Sequence, residues 1–339
     1  MAISTKTLAI GAAFMAAATA GAAPYHVTVP MSDDAEGAMA YIANFDTGAN
    51  IDSVLVAGGV AEFRGEIDEP LLARVLLDGE RYATFILEEG GIAFNKDREA
   101  VGSMLNDRFN QMGDSASAIG ARFQAATSED AQRAIYNEYT AFMDSQLEEN
   151  ADNPIGYYLF LQKAGNLNRE EFSAELEKYP AFAKYERVKL RKASFDRQEA
   201  TAEGKPFADF EIEHDGVKHR LSDVVGKGDY VLVDYWASWC GPCIRQTEVI
   251  KEIYNEYKDK GLKVLGVAVW DEPEATKAAV AKHSLPWESW LNAGSVPTDI
   301  YGITGIPCII LYGPDGTIIS RDKQSDELKA AVREALAGK

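Results

Sequence analysis

The residue pattern predicts an α/β layer fold for the C-terminal part of the chain, preceded by a small β-rich module and a helical segment. Three observations carry this. Residues 51 to 95 show short apolar runs punctuated by glycine pairs. Residues 96 to 200 carry alanine, charge and aromatics at helical spacing. After residue 206 strand-like and helix-like runs alternate, which is the signature of a layered α/β domain.

In the first region, Gly58-Gly59, Asp78-Gly79 and Gly90-Gly91 stand at hairpin-like spacing. Ala61, Phe63, Gly65 and Ile67 alternate with Glu62, Arg64 and Glu66, the period of two of a half-buried strand. These features predict a β-sandwich-like or barrel-like module over residues 23–95. Over residues 96–200, Ile135, Tyr139, Phe142 and Met143 share one helical face, and Tyr158, Leu161 and Gln162 share another, both read as core-facing. Asn153-Pro154 and Asn168 are helix-start signals. Residues 201–206 read as a short linker into a domain over 201–339. There, Asp215-Gly216 centres a hairpin, and Tyr230–Tyr235 is a strand followed by a helix that Gly261 ends. Leu262–Val269 is nearly all apolar, as for a central parallel strand. Pro273 opens a helix to His283, Cys308–Tyr312 is a strand turned by Pro314-Asp315-Gly316, and Ser325 caps a last helix with Leu328, Val332, Ala335 and Leu336 inward.

Two or three domains fit 339 residues. The formal charge of −19 argues against nucleic acid or an anionic membrane as a partner. Residues 1–22 read as a signal peptide: Lys6 gives a positive start, Leu8–Ala20 is apolar, and a cut after Ala22 suits the small residues there. The expectation is an exported, periplasmic protein rather than one held by an uncleaved anchor.

The chain has 3 cysteines, none before Cys240, so a disulfide-stapled scaffold is excluded. Cys240-Gly241-Pro242-Cys243 follows a strand and opens a helix. A cysteine at a helix N-terminus is favoured as thiolate, the species that attacks disulfides, and a second cysteine one turn on can resolve the mixed disulfide. A zinc site would need two further ligands at close spacing, and only Cys308 and 4 scattered histidines remain. No metal and no cofactor are expected.

The run Trp236-Ala237-Ser238-Trp239-Cys240-Gly241-Pro242-Cys243 resembles the active-site motif of thioredoxins, and Tyr301-Gly302-Ile303-Thr304-Gly305-Ile306-Pro307 resembles their cis-proline loop. Val264–Trp270 and the insert through Trp287 resemble the TlpA/ResA-like branch of exported thioredoxin-fold proteins, whose bacterial members often carry an N-terminal module. The resemblance spans about residues 205–339. It implies a thioredoxin fold and a protein-disulfide reductase, with Cys240 attacking, Cys243 resolving, and Asp234 as the buried acid that helps deprotonate the resolving thiol. An acid inside Val231-Leu232-Val233 is costly to bury charged, and burial raises its pKa toward neutrality. The resemblance further implies that Pro307 is cis, that Trp239, Gly241, Pro242, Ile306 and Pro307 meet the substrate, and that a membrane-bound donor supplies electrons. Partners are then protein thiols and disulfides.

Two departures from the family pattern stand out. Gln246 replaces a common acid and Glu248 a common proline, which predicts a straighter helix and a different field at Cys243. Cys308 follows Pro307 where threonine is common, so a third thiol lies near the loop; it reads as a small buried hydrophobe, with a redox role as the alternative. Two other functions compete: a thiol peroxidase of peroxiredoxin type, and a redox-gated binding protein that uses the N-terminal half.

Overall fold

The computed structural model describes residues 22–214 and 216–337. The expected signal segment through residue 21 and Asp215 lie outside the described residues. Among these, no helix is long and apolar enough to cross a membrane. The chain divides into two compact units, Met1–Val188 and Lys189–Lys339.

The first unit begins with eight strands: β1 (Ala23–Pro30), β2 (Met39–Asn44), β3 (Asn50–Leu55), β4 (Val60–Ile67), β5 (Leu71–Leu77), β6 (Glu80–Leu87), β7 (Gly90–Phe94) and β8 (Ala100–Val101). They form two sheets, ordered β4-β1-β7-β8 and β3-β2-β5-β6. Val27, Phe63 and Ile92 from one sheet share a core with Ile42, Val75 and Phe85 from the other, which makes the module a β-sandwich. The alternation in β4 is realised in its register: Ala61 lies opposite Val29, and Phe63 opposite Val27, both buried. Asp78-Gly79 closes a true two-residue hairpin between β5 and β6, both residues at positive φ as such turns require. Gly58-Gly59 does something different: it hands the chain from one sheet to the other, since β3 and β4 do not pair.

Helices α1 (Met104–Ala125), α2 (Glu129–Glu149), α3 (Pro154–Ala164) and α4 (Arg169–Lys178) follow. Asn153 caps α3 by accepting from the N–H of Ile155 at 2.9 Å, and Asn168 forms a reciprocal cap with Glu171. The expected inward face of α3 needs correction. Ile155, Tyr157, Leu159 and Phe160 are buried, Tyr158 and Leu161 are half-buried, and Gln162 is exposed. The helix is apolar nearly all round, so periodicity alone does not choose its face. On α2 the stripe Ile135, Tyr139, Phe142 and Met143 is half-buried, and only Leu147 is fully buried.

Helix α5 (Glu186–Ala200) contains the unit boundary. The expected boundary at 201 therefore falls inside the second unit. The physical reason is hydrogen bonding: Gln198 Nε2 donates to the carbonyl of Gly302 at 2.7 Å, and Arg191 donates to Thr304 Oγ1 at 3.2 Å. Residues 201–206 are not a free linker either. The N–H of Gly204 donates to Ile318 at 2.7 Å, the N–H of Ile318 donates to Lys205 at 2.8 Å, and Thr201 is buried.

The second unit continues with β9 (Glu211–His214), β10 (Val217–Arg220), β11 (Tyr230–Trp236), α6 (Gly241–Tyr257), β12 (Leu262–Ala268), α7 (Pro273–His283), β13 (Glu288–Trp290), α8 (Val296–Tyr301), β14 (Cys308–Tyr312), β15 (Ile318–Arg321) and α9 (Ser325–Leu336). A five-stranded sheet runs β13-β12-β11-β14-β15, with β12 parallel to both β11 and β13, and β14 antiparallel to β11 and β15. On one face Leu232, Ile309 and Leu311 pack with Ile250 and Ile253 of α6 and Leu328 and Val332 of α9. On the other, Val233, Tyr235, Cys308 and Ile310 pack with Phe210, Leu221, Trp290 and Tyr301. This is the thioredoxin fold, behind a β-rich region and helices. Helix α6 runs without interruption past Gln246 and Glu248.

Candidate active site

Strand β11 delivers its last residue, Trp236, to the sheet edge facing α6, and the next turn presents Cys240 as the N-cap of α6. Cys240 and Cys243 are joined as a disulfide, their Cα atoms 5.2 Å apart. The N–H of Cys243 points at Cys240 Sγ from 3.2 Å. Helix N-terminal N–H groups have no partner within the helix, so this one is available to stabilise charge on the sulfur when the bond opens. Pro242 occupies the first turn, where its missing N–H leaves no gap. Cys240 is 4% exposed and Cys243 0%, so the outer sulfur is the one near solvent.

Opposite them lies the loop before β14. The Ile306–Pro307 peptide bond is cis, and the carbonyl of Ile306 lies 3.8 Å from Cys240 Sγ. Around this pair Trp239, Gly241 and Pro242 are exposed, while Ile306 and Pro307 are half-buried. The expected substrate-contacting residues thus share one surface. Asp234 is 1% exposed on β11, two residues before Trp236 and so on the same face, and burial pushes its carboxyl up to about 7.

Cys308 is placed elsewhere. It is a free, buried thiol in the cluster of Tyr235, Tyr301 and Tyr312, on the sheet face away from the cluster that holds Cys240, Cys243 and Trp236. Burial, and then the Asp322 carboxylate, push its thiol well above the usual range. Gln246 is buried beneath α6 and acts in structure: its Nε2 donates to Ser325 Oγ at 3.1 Å, and its Oε1 accepts from the N–H of Ser325 at 3.3 Å, tying α6 to the start of α9.

Two site residues have no local signal in the sequence. Asp271 accepts from the N–H of Ser238 at 2.6 Å, from Ser238 Oγ at 2.9 Å and from Thr276 at 2.8 Å, which fixes the turn ahead of Cys240. Burial alone would raise its pKa, but these bonds hold it below the usual carboxylate value. Trp270 has φ 53°, uncommon for a bulky residue, and its carbonyl accepts from the indole N–H of Trp239 at 3.0 Å. That bond orients a tryptophan that is 61% exposed beside the disulfide. Both contacts join segments about 31 to 33 positions apart, so only the sheet topology reveals them.

Comparison with known proteins agrees with this geometry. Residues 204–321 match the AhpC/TSA family, and residues 25–109 match a domain of unknown function, DUF4369. The thiol-disulfide oxidoreductase ResA of Bacillus cereus is 28% identical over 148 residues, 43% of this chain and 84% of that protein. ResA of Halalkalibacterium halodurans is 32% identical over 126 residues, 37% of this chain and 69% of that protein. Among solved structures, the thioredoxin domain of a thiol-disulfide oxidoreductase from Bacteroides vulgatus is 32% identical, covering 39% of this chain and 96% of that one, with a TM-score of 0.36. Strand-borne acid, helix-capping cysteine pair and facing cis-proline loop all fall within residues 204–321, the stretch the AhpC/TSA family matches, and the chain belongs to the ResA-like thiol-disulfide oxidoreductases.

Proposed function

We propose that Cys240 and Cys243 cycle between dithiol and disulfide in exchange with protein substrates, and that the chain works as a reductant outside the cytoplasmic membrane. The observation that carries the reading is the N–H of Cys243 directed at Cys240 Sγ from the first turn of α6, a donor placed to stabilise negative charge on that sulfur. In the reduced protein, the Cys240 thiolate attacks a substrate disulfide and releases one substrate thiolate. Cys243 then loses its proton to Asp234, attacks Cys240 Sγ and releases the second thiolate. Two electrons leave the enzyme dithiol, and the enzyme disulfide remains. Ile306, Pro307, Trp239, Gly241 and Pro242 line the place where the substrate chain would lie.

The reductive direction rests on the Gly-Pro pair between the cysteines, which resembles reducing members of the family, and export rests on Lys6 and the apolar run Leu8–Ala20. An oxidising compartment then requires a membrane-bound donor to restore the dithiol. The peroxidase reading is not favoured: the ResA relatives are named thiol-disulfide oxidoreductases. Equilibration with glutathione or dithiothreitol, followed by thiol trapping, tests the direction. We expect a potential near the about −270 mV of thioredoxin, and a value near about −120 mV would make the protein an oxidant.

A further inference from the structure

Across three strands of the sheet runs a row of residues that the redox reading leaves unused. Asp234 on β11 is the register partner of Gly266 on β12, and Gly266 is the partner of Ser289 on β13. Register partners in neighbouring strands present their side chains on the same face, so the row leads from the centre of the sheet to its edge strand, about 10 Å away. In the middle of that row there is no side chain. A Cβ on Gly266 would stand 3.0 Å from Ser289 Oγ, 3.2 Å from Trp236 Nε1 and 3.4 Å from Trp287 Nε1. All three atoms are buried, and none has a hydrogen-bond partner among the described residues; the same holds for Oδ1 of Asp234. Trp236 is 1% exposed and Trp287 7%. Buried polar atoms are paired as a rule, so three orphans around one glycine, with a fourth on its register partner Asp234, call for a common partner.

The donors and acceptors match one small molecule. The two indoles can only donate, an ionised carboxylate can only accept, and a serine hydroxyl does either. A water in the space left by Gly266 accepts from Trp236 and Trp287 and donates toward Ser289 and Asp234, within the two to four partners a buried water takes. We propose that the Gly266 notch is a buried water site, and that Ser289 and this water form a proton path from Asp234 along the sheet to its edge strand. Ser289, Trp236 and Trp287 are then positioning residues for the acid's proton.

The inference rests on the redox reading above and completes its proton balance. When Cys243 attacks Cys240 Sγ, its proton moves to Asp234. The front of the site is covered at that moment by the substrate, so the proton must leave elsewhere. It passes from the Asp234 carboxyl to the notch water, which gives up one of its own to the Ser289 hydroxyl, and that hydroxyl, on turning outward from its half-buried strand, gives its original proton to bulk water at the sheet edge. Asp234 ends as carboxylate, ready for the next turnover. Residue-level burial suits this route, since Ser289 is only half-buried although its Oγ is enclosed. The charge environment of Asp234 leaves its proton to such local contacts. The charged side chains of the elements packed around it, Arg245, Glu248 and Glu252 of α6, Lys263 of β12 and Glu288 of β13, are exposed, the Cys240–Cys243 disulfide does not titrate, Cys308 lies across the sheet, and desolvation alone shifts the pKa of Asp234.

The test is a carboxyl-carbon NMR titration of Asp234 in the oxidised full-length protein, with no substrate present. Ser289→Ala removes a hydroxyl without adding bulk, and Gly266→Ala fills the notch. Both are expected to raise the Asp234 midpoint, Gly266→Ala by about one pH unit because the carboxylate loses its hydrogen-bonded water, and Ser289→Ala by less, because the water keeps three partners but is held less firmly toward the acid. Ser289→Thr, which keeps the hydroxyl, is expected to stay at the wild-type midpoint. Oxygen-17 relaxation dispersion is expected to count one long-lived water fewer in Gly266→Ala. An unchanged midpoint in Ser289→Ala, or an unchanged count of long-lived water in a folded Gly266→Ala, would overturn the proposal. Neither measurement depends on the cysteines reacting with a protein disulfide, so a failed potential measurement and a failed notch are separate results.

Discussion

The two units bury polar groups in opposite ways. In the first, Asn106 is 1% exposed and closes both backbone groups of Ile86, accepting from its N–H at 2.9 Å and donating to its carbonyl at 2.7 Å. Glu88, also buried, accepts from the N–H groups of Leu105 and Asn106 at the start of α1. Asp46 accepts from Tyr157 at 2.6 Å and from the N–H groups of Glu186 and Arg187. Arg74 Nε has no hydrogen-bond partner among the described residues, but its guanidinium sits 4.3 Å from the Phe45 ring. In the second unit, Trp236 Nε1, Trp287 Nε1 and Ser289 Oγ gather at Gly266, and they and Oδ1 of the neighbouring Asp234 have no partner among the described residues. A buried polar group with every bond made fixes a strand against a helix. One left open keeps a proton, or a place for water, within reach of a reaction. The two kinds of burial therefore predict different responses to mutation.

The largest effect is expected where the second unit does its chemistry. Cys240→Ser should lower disulfide-reduction turnover by about a thousandfold or more, because Cys243, fully buried, does not reach a substrate disulfide in its place. Cys243→Ser should lose turnover to the same degree while accumulating a mixed disulfide with substrate, visible by mass spectrometry. Turnover in Cys240→Ser within tenfold of wild type would move the chemistry to another residue.

Asp234 should also be readable in stability. Its carboxyl ionises near 3.8 unfolded and at about 7 folded. Between these values the folded chain holds a proton that the unfolded chain has released. Stability of the oxidised protein should therefore fall as pH rises from about 4 through 7, by about 4 kcal/mol in all, and stay low above that. Asp234→Asn should abolish the decline and slow exchange. Urea unfolding at pH 4, 6 and 8 checks the sign, and a stability that rises over this range through this residue is incompatible with its burial.

In the first unit the same kind of truncation should act on stability alone. Asn106→Ala leaves both backbone groups of Ile86 without partners and should destabilise that unit by about 2 kcal/mol. The Cys240–Cys243 potential should not move. A shift in potential would end the separation drawn between the two units. The smallest effect belongs to Cys308. Cys308→Ala should alter exchange rates less than about twofold, since a protonated, enclosed thiol on the far face of the sheet is inert. Maleimide labelling of the folded, oxidised protein should leave Cys308 unmodified.

What could be read in the sequence follows the same division between local and distant contacts. The strand into Cys240, the helix after it, the Ile306–Pro307 loop and the acid six residues upstream are all consecutive or at fixed spacing, and each stands where expected. Asn153 and Asn168 were legible because a cap bonds within its own first turn. The notch at Gly266 was not, since a glycine in an apolar strand carries no sign of which indoles and hydroxyls converge on it from β11, β13 and the segment before β13. Asp271 was missed for the same reason. The inward face of α3 escaped because its apolar residues surround the helix. Gly58-Gly59 looked like Asp78-Gly79 because a turn residue records local backbone shape, not whether the two strands it joins will pair.

The last turns of α5 give the chain a division that no motif marks. The match to the AhpC/TSA family starts at residue 204, yet the compact unit starts at Lys189. Between these points, Arg191 and Gln198 hold Thr304 and Gly302, and Gly302 is pressed so closely that a Cβ there would stand 2.2 Å from the carbonyl oxygen of Ser194. The helix is a splint on the loop that faces the disulfide. A fragment cut at residue 201 would keep every residue of the thioredoxin motif and lose the splint, whereas one starting at Glu186 would keep both. The compact unit that carries the disulfide is longer, by one helix, than the segment the AhpC/TSA family outlines.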